Sequence, residues 1–272
     1  RDSPYMPIFL LYLLGSSVFG QSIYTGLSPQ KAISQYQCDT WQKNQGLPQN
    51  SVFAITQNKE GYLWIATYEG LARFDGSEFQ AYSTLNVSEL KSSGIWEVYE
   101  DSKQNLWIGT NNGGLTCYSK GKFKTFTTAD GLPTNTITQI HETPDKTLWL
   151  ATKQGLVQYK GGKFKTFTTR DGLGSKEITA LYDCSDGGLW IGTTRGLTKY
   201  KEGVFEDYTR SRVLLINKNI TAITEDALGN LWLGTQNGLI RWNESLNHFE
   251  TFQAGNGLLD NYITKLFVDT RG

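Results

Sequence analysis

A five-residue phrase that recurs at a nearly constant spacing limits this chain to very few folds. Each copy consists of leucine, tryptophan, isoleucine or leucine, glycine or alanine, and threonine. The copies occupy residues 63–67, 106–110, 148–152, 189–193 and 231–235. A period of about 42 residues, filled with short segments that alternate apolar and polar side chains, is typical of the four-stranded blades of a β-propeller.

Four short strands, A to D, are predicted in each repeat, separated by turns that contain glycine and asparagine. The predicted blades are residues 51–84, 94–128, 136–169, 177–209 and 219–254. Residues 35–41 match strand D of a closing blade, and residues 262–270 match strand A of a sixth. We therefore expect an all-β chain: a β-propeller of four-stranded antiparallel blades, five of them complete, with partial blades at both ends of a truncated ring. Helical solenoids have similar periods, but glycines placed throughout each repeat exclude the helices that they need.

Charge and residue usage argue against several classes of function. Lysine plus arginine equals aspartate plus glutamate at 26 each, so there is no electrostatic reason to expect a nucleic-acid partner. The three cysteines, Cys38, Cys117 and Cys184, are isolated, with neither zinc-site spacing nor a disulfide framework. His141 and His248 lie at different positions of the repeat. We expect no catalytic set, no metal and no cofactor.

The first 21 residues differ from the rest of the chain. Residues 7–19 are mostly apolar and are followed by small residues, a pattern that resembles a secretory signal peptide with an incomplete start. The stretch is too short to favour a membrane span. It predicts that residues 1–21 are a signal peptide and that the remainder lies outside the cytoplasm.

The tryptophan of each phrase is predicted to be structural. One large aromatic residue per repeat, in the middle of strand B, suits the core between neighbouring blades and contributes a few kcal/mol when buried. These core residues are Trp64, Trp107, Trp149, Trp190 and Trp232.

A candidate recognition face follows from the topology of a four-stranded meander. Its D–A and B–C connections lie at one end, and here they are the variable ones, whereas the A–B and C–D turns are short and uniform. Variable polar loops on a rigid scaffold are where recognition usually occurs. The candidate ligand-binding residues are the pairs in the B–C turns: Tyr68, Glu69, Asn111, Asn112, Lys153, Gln154, Thr194, Arg195, Gln236 and Asn237.

The repeated unit resembles the two-component regulator propeller repeat. The resemblance rests on Gly-Leu-Pro-x-Asn, an apolar strand, and the Leu-Trp phrase followed by Gly-Leu, and it covers residues 35–272. It implies the periplasmic ligand-sensing domain of a bacterial receptor in the inner membrane, followed by a histidine kinase. The implied partners are a small molecule or oligosaccharide, the rest of the receptor, and a second receptor copy. The connection at residues 209–218 lacks the Gly-Leu-Pro signature and is expected to differ.

Three alternatives remain open at this stage. The output domain of the resembled receptors is in some members a diguanylate cyclase. A propeller-type glycan hydrolase or lyase would need carboxylates that converge in the channel, for which Glu69 and Glu97 are the candidates. A protein-interaction scaffold would use the same loops without a small ligand.

Overall fold

The computed structural model describes residues 39–211, 219–246 and 248–268. Within these ranges the chain forms five four-stranded antiparallel sheets, each made of consecutive strands, and the predicted all-β propeller fold is confirmed. Strands A of successive blades contact one another, so they lie on the inside of the arrangement. The five sheets do not close into a ring among the described residues.

The strands have the same order in every blade. Strands A are β1 (Val52–Gln57), β5 (Ile95–Glu100), β9 (Ile137–Glu142), β13 (Ile178–Asp183) and β17 (Ile220–Glu225). Strands B are β2 (Leu63–Thr67), β6 (Leu106–Thr110), β10 (Leu148–Thr152), β14 (Leu189–Thr193) and β18 (Asn230–Thr235). Strands C are β3 (Gly70–Phe74), β7 (Leu115–Ser119), β11 (Gly155–Lys160), β15 (Gly196–Lys201) and β19 (Gly238–Asn243). Strands D are β4 (Phe79–Tyr82), β8 (Lys122–Phe126), β12 (Lys163–Phe167), β16 (Val204–Asp207) and β20 (His248–Phe252). A one-turn helix, α1 (Tyr208–Ser211), follows blade 4.

The tryptophans of the repeated phrase lie between blades. Trp149 packs against Phe167 of its own blade, with ring centroids 5.9 Å apart, and against Tyr200 of blade 4, at 5.0 Å. Trp64, Trp107 and Trp190 contact the next blade in the same way. Trp232 is only half-buried and stacks on Phe252 of its own blade. The four inner tryptophans therefore join one blade to the next.

The glycine or alanine two residues after each tryptophan makes room for the next blade. A Cβ at Gly192 would lie 2.9 Å from Cγ2 of Ile220, the first residue of strand A in blade 5. Gly109 faces Ile137 and Gly234 faces Ile263 in the same manner. A small side chain at this position therefore sets how closely successive strands A approach.

An acidic residue at the start of the A–B turn holds the tryptophan in blades 2 and 5. Trp107 Nε1 donates to Asp101 Oδ2, and Trp232 Nε1 donates to Asp226 Oδ2, both at 2.8 Å. Blade 1 has Asn58 at this position, and Trp64 Nε1 is buried without a partner among the described residues. The acidic residue thus couples the turn to the core of its blade.

We expect the Asp226→Asn variant to lose about 1–3 kcal/mol of stability at neutral pH, because the asparagine accepts fewer hydrogen bonds. Burial alone raises the pKa of Asp226, but hydrogen bonds from Asn230 and Trp232 outweigh it and hold the pKa below its ordinary value. The stability that this carboxylate contributes is present above the unfolded pKa and is lost as pH falls through the folded pKa. In denaturant unfolding, the difference in the free energy of unfolding between wild type and variant should therefore become smaller below about pH 4.

The control for this measurement is Glu60→Gln, at an exposed acid in the A–B turn of blade 1. It should stay within about 0.5 kcal/mol of wild type at every pH. If the loss of stability in Asp226→Asn instead became larger as the pH falls, the stabilising role of the Asp226 carboxylate would be contradicted.

Neither partial blade contains the predicted strand in its described residues. Over residues 39–41 there is one isolated bridge at Asp39, although Trp41 packs on Phe74 and Phe79. Over residues 262–268 no strand forms, because a strand needs a ladder partner. Instead, Ile263 donates its N–H to Thr235 and accepts from the Thr221 hydroxyl. The predicted signal peptide (1–21), residues 35–38, Cys38, most of the connection at 209–218 and residues 269–270 lie outside the described residues.

Candidate functional site

The B–C turns and the D–A connections meet at one end of the blades, here called the loop end. Asn111 N–H donates to the Gly94 carbonyl at 2.7 Å, and Gly114 N–H donates to the Asn135 carbonyl at 2.7 Å. The turn of blade 2 is therefore clamped between the connection that enters its blade and the one that leaves it. Related bonds in blades 4 and 5 join Thr194 to Glu177 and Gly238 to Asn261.

A buried threonine builds each B–C turn. The hydroxyl that ends strand B donates to the carbonyl of the glycine that precedes or begins strand C, and in four blades it also accepts an N–H from within the turn. The threonines are Thr67, Thr110, Thr152, Thr193 and Thr235, all at most 2% exposed. Gly155 has φ 138°, and a Cβ there would collide with the Phe167 carbonyl. Threonine and glycine thus form a fixed frame that leaves the residues between them free to vary.

The ten candidate ligand-binding residues lie in these turns, one pair to a blade. Tyr68, Glu69, Asn112, Lys153, Gln154, Arg195, Gln236 and Asn237 are exposed, whereas Asn111 and Thr194 are half-buried. Lys43 Nζ binds Glu69 Oε2 at 2.7 Å, and the Thr194 hydroxyl lies 3.3 Å from that of Ser175. The structure brings Tyr68 and Asn111 together, since both flank Gly94, and it holds the other pairs in separate turns.

The B–C turn of blade 2 is one residue longer than those of the other blades. Strand β6 ends at Thr110 and β7 begins at Leu115, with Gly113 as an additional residue. A Cβ at Gly113 would lie 2.6 Å from the Cβ of Ser92, so the longer turn packs on the connection from blade 1. The available signal was the seven-residue step from Trp107 to Gly114, which is six residues in the other blades.

A β-bulge recurs at the second residue of strand A, a feature that the sequence pattern does not predict. In every blade this residue is skipped in the pairing of strand A with strand B. In blades 3 to 5 the residue is threonine, and its hydroxyl donates to a backbone carbonyl: Thr138 to Ala151, Thr179 to Ile220, and Thr221 to Ile263. In blades 1 and 2 it is Phe53 and Trp96. Bulges re-aim side chains and are over-represented next to functional sites.

Three aromatic side chains meet where blades 1 and 2 join at the loop end. The rings of Phe53 and Trp96 are 4.5 Å apart in an edge-to-face arrangement, and Tyr68 is 6.5 Å from Trp96. Tyr68 is 51% exposed, and the other two are half-buried. Trp96 Nε1 is covered and has no acceptor among the described residues, which costs about 1–3 kcal/mol.

Glu97 follows Trp96 on strand A, and its carboxylate is largely buried. Burial raises its pKa, and Lys265, whose Nζ lies 3.7 Å from Oε2, partly offsets the effect. The two carboxylates proposed for an enzyme therefore bind different lysines, Glu97 with Lys265 and Glu69 with Lys43.

We expect the Glu97→Gln variant to have a higher Tm than wild type at neutral pH. A raised pKa in the folded state means that the folded protein favours the protonated form of Glu97. The contribution of this side chain to stability therefore declines as pH rises through that pKa. Measured from about pH 4 to about pH 8, the Tm advantage of the variant should grow with pH. Glu78→Gln, at an exposed acid in the C–D turn of blade 1, is the control and should show no such trend. An advantage that shrinks as pH rises would contradict the burial argument.

Two cavities lie at the opposite end of the blades. One of about 260 Å³ lies between blades 1 and 2, against Trp64, Glu100 and Tyr118. One of about 230 Å³ lies between blades 2 and 3, against Trp107, Glu142 and Tyr159. Because equivalent residues line both, the packing of one repeat on the next accounts for them. Among the described residues, no group of three or more histidine, cysteine or acidic side chains is placed to hold a metal ion.

Comparisons with known proteins agree with this architecture. The family model described as two component regulator propeller matches residues 46–69, 89–112, 131–154 and 214–237. A search of curated proteins gave no match. No helix within the described ranges combines the length and the apolar character that crossing a membrane would require.

Three solved structures show the same fold. The extracellular domain of the hybrid two-component system BT3049 from B. thetaiotaomicron is 28% identical with a TM-score of 0.68, over 78% of this chain and 31% of that one. The extracellular domain of the one-component system BT4673 from B. thetaiotaomicron is 24% identical with a TM-score of 0.55, over 80% and 36%. A virginiamycin B lyase from Staphylococcus aureus is 16% identical with a TM-score of 0.64, over 80% and 74%.

This chain spans about a third of the length of the first two of these structures, 31% and 36%. Its matched stretches all run from a D–A connection through strands A and B to a B–C turn, the segment that carries the bulge and the Leu-Trp phrase. The chain is thus a β-propeller in which four stretches match the two-component regulator propeller repeat, and it is similar in fold to the extracellular domains of bacterial signalling systems.

Proposed function

We propose that this chain is the ligand-sensing propeller of a bacterial signal-transduction receptor and lies outside the cytoplasm, in the periplasm. The similarity to the BT3049 extracellular domain supports this role, as do the family repeats. The observation that carries the proposal is the loop end, where variable polar residues stand on a frame of buried threonines. The receptor's output is a histidine kinase, and a diguanylate cyclase is the alternative.

The ligand we propose is a small polar molecule, in the first instance an oligosaccharide. It binds at the loop end around the channel, near the B–C turns, and is not chemically changed. Exposed amide, hydroxyl and charged groups in five separate turns suit a ligand with many hydroxyls, because each turn presents different donors and acceptors.

A glycan lyase or hydrolase is the second candidate. The similarity in fold to virginiamycin B lyase and the buried carboxyl of Glu97 favour it. The separate lysine partners of Glu69 and Glu97 speak against a pair of catalytic carboxylates.

A thermal-shift screen of the chain, with neutral and acidic oligosaccharides, amino acids and short peptides, tests the proposal. A ligand present at about 100 times its Kd adds about 2.7 kcal/mol to stability. We expect at least one such shift, with the ligand recovered unchanged by mass spectrometry. Chemical turnover of the stabilising compound would contradict the sensor role and support a lyase or hydrolase. No shift from any compound class would contradict ligand sensing.

A further inference from the structure

The bulge position separates blades 1 and 2 from the other three. In blades 3 to 5 its threonine hydroxyl donates to a backbone carbonyl, in the same blade for Thr138 and in the segment that follows the blade for Thr179 and Thr221, so the residue serves the scaffold. Phe53 and Trp96 cannot form that bond, because neither carries a hydroxyl. In blades 1 and 2, an aromatic side chain at the inner rim of the loop end therefore takes the place of this structural hydrogen bond.

The same two blades carry further departures from the repeat at this end, and another lies at α1 after blade 4. The B–C turn of blade 2 has its additional residue, Gly113. The B–C turn of blade 1 supplies Tyr68, whose ring is 3.6 Å from the position of a Cβ on Gly94. Departures from a repeat that cluster in one place are expected at functional sites, because local rules are broken there for reasons other than folding.

Polar residues lie next to these aromatic residues, in space or in the chain. Asn111 also lies beside Gly94, with its Cβ 3.3 Å from the position of a Cβ on that glycine. Glu69, which forms an ion pair with Lys43, follows Tyr68 in the chain, and Glu97 follows Trp96. An apolar surface ringed by a few hydrogen-bonding groups is the usual composition of a small-molecule site. A pyranose ring matches it, since the ring has an apolar C–H face and a rim of hydroxyls.

We propose that Phe53, Trp96 and Tyr68 form an aromatic anchor that stacks on one pyranose ring of an oligosaccharide. This inference rests on the proposed ligand-sensing function and adds the location and the contact chemistry of the site. Phe53 and Trp96 fix the anchor to strands A of two blades, and Tyr68 covers it from the B–C turn.

The chain itself provides a matched substitution. Trp96→Thr and Phe53→Thr install the residue that blades 3 to 5 carry at the same bulge. Leu228→Thr, at an exposed apolar residue in the A–B turn of blade 5, at the end of the blades opposite the loop end, is the control. Circular dichroism and Tm establish that each variant is folded before binding is measured.

Fluorine NMR of the chain labelled with 5-fluorotryptophan gives the readout. The eight tryptophans give separate signals, and the signal that disappears in Trp96→Phe is that of Trp96. The probes are cellobiose, maltose, mannobiose, xylobiose and chitobiose. We expect one of them to shift the Trp96 signal and to leave that of buried Trp149 unchanged. Trp96→Thr should bind that probe at least tenfold more weakly, about 1.4 kcal/mol, and Leu228→Thr should bind it as wild type does.

Each other outcome overturns the anchor in a distinguishable way. A disaccharide that binds without moving the Trp96 signal, and binds Trp96→Thr with unchanged affinity, disproves the anchor and leaves the sensing function standing. If none of the five disaccharides binds, the carbohydrate anchor is wrong, and the sensing function is judged by the amino acids and peptides of the thermal-shift screen.

Discussion

Replacing Trp149 with alanine should lower the free energy of unfolding by about 3–5 kcal/mol, because the change removes a large buried side chain and leaves a cavity. Trp149 is 2% exposed and lies between Phe167 of blade 3 and Tyr200 of blade 4. The substitution thus weakens the packing within a blade and the joint between two blades. Urea denaturation followed by circular dichroism measures the change.

Trp232→Ala is the matched control for that measurement. Trp232 holds the same position in blade 5 but is only half-buried, and its ring stacks on Phe252 within its own blade. Its replacement should cost about half as much, since less apolar area returns to water. Equal losses for the two variants would mean that the tryptophans act within blades and contribute little between them.

Gly192→Val should destabilise the chain by about 1–3 kcal/mol, the usual penalty for adding methyl groups to a packed core. A Cβ at Gly192 would lie 2.9 Å from the Cβ of Ala180 and 2.9 Å from Cγ2 of Ile220. Ala180 and Ile220 belong to strands A of blades 4 and 5, so the added atoms would press successive strands A apart.

Gly255→Ala serves as the control for Gly192→Val, because a Cβ at Gly255 would meet nothing within 4 Å. This variant should stay within about 0.5 kcal/mol of wild type. A Gly192→Val protein as stable as the control would show that blades 4 and 5 separate without loss, contrary to the packing described above.

The sequence predicted the blades well because each residue of the repeated phrase has one structural task. Tryptophan fills the space between blades, the small residue admits the next strand A, and threonine closes the B–C turn. Because each of these residues has the same structural role in every blade, they recur at a constant spacing, and this period predicts the propeller fold. The common end of the B–C turns and D–A connections follows from the same meander topology.

Features that depend on how blades meet were not predictable in the same way. Phe53 and Trp96 fit an ordinary apolar strand, and only the pairing of strands A and B reveals the bulge that they occupy. The ion pair of Glu97 with Lys265 joins residues of blade 2 to the segment after blade 5, which no periodicity connects. The strand predicted at 262–270 failed over its described residues because pairing requires a neighbour.

Hydrogen–deuterium exchange tests most directly the claim that ligands bind at the loop end. The chain is compared with and without the oligosaccharide that raises Tm most in the thermal-shift screen. We expect slower exchange in the connection at residues 84–93 and in the B–C turns, with the A–B and C–D turns unchanged. Slower exchange confined to the A–B and C–D turns, beside the cavities at Trp64 and Trp107, would contradict it.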